Sequence, residues 1–254
     1  PVYCYVVHPN LSRLCGLYAG RLTGLEDVFS AGAAWIRRRI TPIRETCIPV
    51  ADLGVDPFDI TYDVVSVWKG GMFRLSVYLD RFEASMVALH LDPDMTRAAI
   101  QSALTQIVAA PGLHNIKSLW SAAGAPQQLP EAAIQGTAEI FHAQCVPYVQ
   151  VISPEVVAKG ASDCLAQSVW RIPDGRVDPI VKIYHWGDFT NGLFDAKDAG
   201  FEALILADTG RNITEGPGFN VFAINMSSFL PRGMGSYPVL PVEPFWKLPQ
   251  NWTC

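Results

Sequence analysis

The chain of 254 residues has little charge for its length, and what it has is dispersed: 19 Lys and Arg against 24 Asp and Glu, a formal net charge of −5. An acidic chain whose longest basic run is Arg37-Arg38-Arg39 offers no electrostatic footprint for a phosphate backbone, which argues against nucleic acid as a partner. No apolar run approaches the roughly 18 residues of a membrane-crossing helix, so no membrane partner is expected either. The N-terminus begins at Pro1 and lacks the charged-then-apolar pattern of a secretory leader. Six cysteines (Cys4, Cys15, Cys47, Cys145, Cys164 and Cys254) are scattered without a C-x-x-C pair or a cysteine-histidine spacing, which points to reduced thiols in a cytoplasmic protein and to no metal site. The sequons at Asn10, Asn212, Asn225 and Asn251 have no leader to support them and read as chance matches. No segment repeats.

Apolar side chains are what the chain has in quantity. Half its residues are hydrophobic, enough for a sizeable core in one large domain or two modest ones. Strand-like runs cover 33–43 and 59–76, the second turned back at Lys69-Gly70-Gly71 as a hairpin. Leu79, Phe82, Met86 and Leu89 then recur at helical spacing. A second helix is expected from Asp92 as N-cap and Pro93 at its first position, with Ile100, Leu104, Ile107 and Val108 on one face and Pro111-Gly112 as the stop. Residues 113–145 carry no firm periodicity. "PYVQVIS", from Pro147, reads as a connecting strand, "LAQSVWRIP" and "DPIVKIY" as further strands, and "GLFDAKDAGFE" as a helix closed by Gly200. "FEALILAD" and "FNVFAIN" are expected to pair across the turn "TGRNITEGPG". Strands, then helices, then strands with one helix make an α+β protein of two lobes divided near 146–155, and clefts between lobes are common places for cofactors.

Two charged residues stand where apolar sequence makes charge costly. Glu215, in "NITEGPGFNVFAI", adjoins the sharp turn Gly216-Pro217-Gly218 and precedes a strand of the buried kind. Either it is a solvated residue of a surface turn, or it is held inside and requires a cation or a donor. Lys182, in "DPIVKIYHWGDFTNGLF", closes an apolar run just before a helix whose start is signalled by Asp188. It either reaches solvent or pairs with an acid such as Asp178, or it is a buried amine of the kind that acts as a nucleophile. An amine with a separate buried carboxylate is what pyridoxal phosphate requires, the first to hold its aldehyde as a Schiff base, the second to keep its pyridine nitrogen protonated.

"VKIYHWGDFTNGLFDAKDAG" followed by "NITEGPGFNVFAI" resembles the class IV aminotransferases, the fold-type IV pyridoxal phosphate enzymes that include branched-chain and D-amino acid aminotransferases. "IPVADLGVDPFDITYDVVSVWKGGMFRLSVYLDRFEAS" is similar in wording and order to fungal members resembling (R)-selective amine transaminases. The matching blocks cover about 29–112 and 147–224. The resemblance implies an N-terminal extension over 1–28, a small α+β domain over 29–146, a partial cofactor-binding domain over 147–224 and an atypical proline-rich tail over 225–254. It implies that Lys182 is the catalytic Schiff-base lysine, that Glu215 partners the pyridine nitrogen, that Arg81 of "YLDRF" binds the cofactor phosphate, and that Tyr62 and Trp186 line the substrate pocket. Taken alone, Arg81 reads equally as a solvated helix residue, and the two aromatics as ordinary core. The implied activity is ping-pong transfer of an amino group between a primary amine or amino acid and a keto acid or ketone, with Lys182 moving the proton, in a homodimer whose site lies near the subunit interface.

Two stretches depart from the family. Residues 225–254 lack its glycine-threonine turn and threonine-rich loop, so they are expected to be foreign to it and to leave the second lobe incomplete. Residues 114–140 match it poorly, and no substrate-reading residue is carried over from them. The alternatives that remain are a truncated, inactive member and a lyase of the same fold acting on an aminated chorismate-like compound.

Overall fold

The computed structural model describes residues 31–47, 60–110, 115–123, 140–147, 154–173, 175–221, 223–225 and 228–230. Expectations for 1–28, for the helix stop at Pro111-Gly112, for the connecting strand beyond Pro147 and for the tail past Leu230 lie outside these residues.

Six strands, β1 (Ala33–Ile36), β2 (Arg39–Pro42), β3 (Ile60–Trp68), β4 (Gly71–Met72), β5 (Asn115–Ala123) and β6 (Ile140–Pro147), form one antiparallel sheet in the order β2-β1-β6-β5-β3-β4. The run 33–43, expected as a single strand, is two. Arg37 and Arg38 take φ of 50° and 61°, the left-handed pair that a two-residue hairpin needs, so Ile36 faces Arg39. The hairpin expected at Lys69-Gly70 is present with the same chemistry, φ 48° and 80°, and it sets Trp68 opposite Gly71. Residues 113–145, which showed no periodicity, supply the sheet's two central strands. In β6 the alternation is real, with Phe141, Ala143 and Cys145 buried and His142 and Gln144 half-buried between them. Alanine, histidine and glutamine are weak strand formers and gave a weak signal.

Helices α1 (Leu75–Ala88) and α2 (Arg97–Ala109) share the main core with the sheet. Leu79, Phe82 and Met86 of α1, and Ile100, Leu104, Ile107 and Val108 of α2, meet Val65 and Val67 of β3 and Phe141, Ala143 and Cys145 of β6. Each large side chain removed from water here contributes about 1.5–3 kcal/mol. The apolar faces are those the spacing gave, but the N-cap differs. Thr96, not Asp92, caps α2, its Oγ1 accepting the Ala99 N–H at 3.2 Å. Asp92 instead accepts the Asp94 N–H at 2.9 Å, and Asp94, at φ 48°, breaks the backbone before a helix can start at Pro93.

The rest of the described chain holds α3 (Pro154–Lys159), β7 (Asp163–Leu165), α4 (Gly187–Asp198), β8 (Ala203–Ile205), β9 (Glu215–Gly216), β10 (Phe219–Asn220), β11 (Ala223–Asn225) and β12 (Ser228–Leu230). β7 and β8 are parallel, and α4 covers them through Phe189, Ala196, Leu204 and Leu206. Gly192 permits this approach, since a Cβ there would lie 2.6 Å from Leu204 Cδ2. Two sequence expectations are corrected here. "LAQSVWRIP" leaves its strand after Leu165 and runs beside β8 through single bonds, Ala166 N–H to Ile205 O and Arg171 N–H to Ala207 O. Among the described residues "FEALILAD" pairs not with "FNVFAIN" but with 213–215, through Leu206 N–H to Glu215 O, Thr214 N–H to Leu206 O and the Ala207–Ile213 bridge. The stretch "TGRNITEGPG" contains two turns with a strand between them. The first turns at 208–212, and the second returns β10 onto β9, so that Asn220 faces Glu215.

Candidate functional site

β4 is only two residues long, so among the described strands none pairs with the Ile60 end of β3 on its outer side. Unpaired strand amides are costly, and the segment around Lys182 meets them. The Lys182 carbonyl accepts both the Tyr62 N–H at 3.1 Å and the Thr61 hydroxyl at 2.8 Å. Ile183 bridges Thr61, and the Lys182 N–H donates to Ser85 Oγ of α1 at 3.4 Å. "DPIVKIY", expected as a strand, is thus an Asx turn at Asp178 followed by this short edge contact. Val181 and Ile183 are buried. Two-residue alternation turns Lys182 and Tyr184 the other way, and both meet Tyr62. The Lys182 Nζ lies 4.7 Å from the Tyr62 ring centroid, and Tyr184 stacks on that ring at 4.2 Å with an 11° interplanar angle.

Tyr62 is the point where the sequence-derived residues converge. Burial pushes its phenol well above the ordinary tyrosine range, a hydrogen bond from Trp186 opposes that rise, and the fields of Asp63 and Glu215 add to it while that of Arg81 subtracts. Lys182 and Trp186 therefore touch Tyr62, and Glu215 and Arg81 lie close enough to act on it electrostatically.

Glu215 is buried, and the cation beside it is one the sequence reading missed. Arg171, also buried, donates from Nε to Glu215 Oε1 at 3.2 Å and from Nη1 to Asp188 Oδ2 at 2.7 Å, while its Cζ lies 4.6 Å over the Phe189 ring. An arginine inside the apolar run "SVWRIPD" was the available signal. One guanidinium thus binds two buried carboxylates, those of Glu215 and Asp188.

Arg81 is not a solvated helix residue. Its Nε and Nη2 form a fork on Asp63, at 2.8 and 2.6 Å, and the Asp63 side chain is fully buried. Asp63 also accepts the Val64 N–H at 2.7 Å, which fixes the carboxylate to its own strand. The fork locks the orientation of the guanidinium.

Among the described residues, no group of three or more His, Cys, Asp or Glu side chains is placed to hold a metal ion, and no helix is long and apolar enough to cross a membrane. Cys47, Cys145 and Cys164 carry free thiols.

The antiparallel sheet with two helices on it, joined at its edge to a lysine-bearing segment, has the α+β architecture of fold-type IV pyridoxal phosphate enzymes. The branched-chain aminotransferase of the archaeon Thermoproteus uzoniensis, solved with norvaline, superposes with a TM-score of 0.68 at 17% identity, over 82% of this chain and 71% of that one. The pyridoxal phosphate form of the Thermobaculum terrenum branched-chain aminotransferase gives 0.68 at 16% identity, over 82% and 69%. At these identities the likeness is one of fold. No curated protein matches the chain. The family model described as "Amino-transferase class IV" matches residues 61–231, and the chain belongs to that family, whose members bind pyridoxal phosphate. The match runs past residue 224, where the atypical tail was expected to begin.

Proposed function

We propose that the chain is a pyridoxal 5'-phosphate-dependent aminotransferase, with Lys182 as the reacting amine, Glu215 at the ring nitrogen, Arg81 at the phosphate, and Tyr62 and Trp186 in the wall of the substrate pocket. The observation that carries this reading is the buried Glu215, held by Arg171 together with Asp188, near the tyrosine over which the Lys182 amine lies. A buried carboxylate held in a fixed orientation suits a protonated pyridine nitrogen, which brings a positive charge and an N–H donor.

The residues fit such a cofactor. Lys182 is half-buried and held by its backbone, so its amine is directed without being removed from reach. Arg81 is oriented by Asp63, and Arg171 fixes Glu215. Bound there, pyridoxal phosphate supplies an aldehyde that takes up an amine and a ring that draws electrons from the bond to be broken. The chain's own residues do the rest. Lys182 Nζ takes and returns the proton at the reacting carbon, as base and then acid. Glu215 holds a proton at the ring nitrogen. Arg81 offers charge-assisted N–H donors to the phosphate. The Tyr62–Tyr184 stack, with Trp186 on the phenol, presents an apolar wall that excludes water beside the amine.

The substrates proposed are a primary amine or amino acid as donor and a keto acid or ketone as acceptor, handled by a cytoplasmic homodimer built from lobes over 29–146 and 147–224. A second reading, a member with an incomplete second lobe that keeps these residues without the chemistry, rests on the proline-rich composition of 225–254.

The deciding measurement is the visible absorbance of the purified protein after incubation with pyridoxal phosphate and desalting, beside Lys182→Ala. A retained yellow band, absent from the variant and shifted by an added amine, supports the aminotransferase. A colourless protein, or one that matches the variant, supports the inactive member. Release of pyruvate without formation of any new amine identifies the lyase.

A further inference from the structure

We propose that Asp188 is a positioning residue that sets the negative charge at Glu215 by dividing Arg171 between two carboxylates, without itself touching the cofactor. The proposal rests on the reading of Glu215 as the partner of the ring nitrogen. Asp188 stands in the first turn of α4, and both of its oxygens are engaged. Oδ1 accepts the Phe189 N–H at 2.8 Å, and Oδ2 accepts the Ile172 N–H at 2.9 Å and the Arg171 Nη1 at 2.7 Å, an ion pair as well as a hydrogen bond. Its side chain is 10% exposed, that of Arg171 4% and that of Glu215 5%, so water screens this triad weakly.

Arg171 is nearer to Asp188, at 2.7 Å, than to Glu215, at 3.2 Å, and Coulomb attraction falls with separation. The Ile172 amide adds a donor to the same Asp188 oxygen, which holds that carboxylate against the arginine. Asp188 therefore adds a negative charge beside Arg171 that offsets part of the arginine's field at Glu215. If the charge at 188 is removed, the Arg171 field at Glu215 is no longer offset, and a proton on a neighbouring ring nitrogen loses part of the field that retains it. An asparagine at 188 keeps an acceptor oxygen for the backbone amides of Ile172 or Phe189, so charge and capping can be separated.

The test uses pyridoxal phosphate labelled with ¹⁵N in the ring, bound to the full chain and to D188N, D188E and E215Q. The ring ¹⁵N shift, which reports protonation of that nitrogen, is followed across pH, and the dissociation constant of the cofactor is measured alongside. The expected result is a ring that loses its proton about one pH unit lower in D188N than in the parent, with affinity weaker by roughly tenfold, the size of one unit-charge effect at short range. D188E, which restores the charge, recovers the parent shift and an affinity within about twofold of it. A purely structural role would change stability in D188N and leave the ring shift of the bound, folded fraction as in the parent, and that outcome overturns the proposal. E215Q separates the two layers. If it lowers ring protonation while D188N does not, Asp188 alone is wrongly assigned. If E215Q also matches the parent, or if the parent retains no label, the reading of Glu215 falls and the proposal with it.

Discussion

Replacing Asp63 with asparagine removes one charge from the fork that holds Arg81 and changes almost nothing in volume. The Asp63 side chain is fully buried and that of Arg81 is 18% exposed, so the arginine left behind cannot turn wholly to water. An asparagine oxygen still serves one donor, but its NH₂ then faces the second guanidinium N–H, donor against donor. Loss of a charge-assisted bond costs about 1.5–3 kcal/mol. Breaking a well-buried pair costs about 3–5 kcal/mol, and the partial exposure of Arg81 places this case near the lower bound, at about 3 kcal/mol. For a chain of this size that is a fall in melting temperature of roughly 6–12 °C. Urea unfolding of the cofactor-free parent, D63N, R81M and the double variant measures the coupling, expected to exceed about 1.5 kcal/mol. The same variant carries a second expectation of opposite sign. An anion that binds Arg81 in the folded state returns the missing charge, so added inorganic phosphate stabilises D63N more than it stabilises the parent. A coupling below about 0.5 kcal/mol, or phosphate that favours the parent, would refute the reasoning.

Gly216 follows Glu215 in β9, and a Cβ there would lie 2.0 Å from Phe219 Cζ, whose ring is buried with Ala203, Ile205 and Val221 and cannot retreat. Gly216→Ala is therefore expected to cost more than about 2 kcal/mol in urea unfolding and to reduce pyridoxal phosphate retention, and an unchanged midpoint would contradict this packing. Burial pushes the Cys145 thiol from 9.0 up to about 12. Between those values the folded thiol keeps a proton that the unfolded one has lost, so the stability present below pH 9.0 declines as pH rises toward 12. The fall in unfolding midpoint between about pH 9 and 11 should be shallower in Cys145→Ala than in the parent, and a maleimide should label exposed Cys47 well before Cys145; parallel slopes or equal labelling rates would exclude the shift.

The sequence was most informative where one short-range rule decides the structure. Leu79, Phe82 and Met86, like Ile100, Leu104, Ile107 and Val108, are buried on the helix faces their spacing defines, because an amphipathic helix has a single way to hide them. The Lys69-Gly70 hairpin followed for the same reason. Misreadings arose where two candidates competed locally and tertiary structure chose between them. Asp92 and Thr96 are both good caps, and the left-handed Asp94 between them settled the matter for Thr96. In "TGRNITEGPG" two turn signals lie so close that they read as one, and the strand they enclose, which carries Glu215, was read as turn. Of the candidate site, Lys182, Glu215, Arg81, Tyr62 and Trp186 were named from sequence, but their partners were not. Asp63 lies 18 residues from Arg81, and Arg171 lies 44 from Glu215, contacts that no local pattern encodes.

The seal that Lys182 and Ile183 place on the outer edge of β3 makes the direction of the amine a question of parity. Pleated backbone alternates sides at every residue, so a one-residue insertion or deletion between Asp178 and Ile183 that left the Thr61 bridge in place would bring an apolar neighbour to Tyr62 and carry the lysine to the opposite side. Such a change would cost little in hydrogen bonding, because the carbonyl that meets the Tyr62 and Thr61 donors is common to every residue type. Parity therefore constrains the length of this short loop more than its side chains, and drift within this family should show there as exchange of side chains and not as change in length.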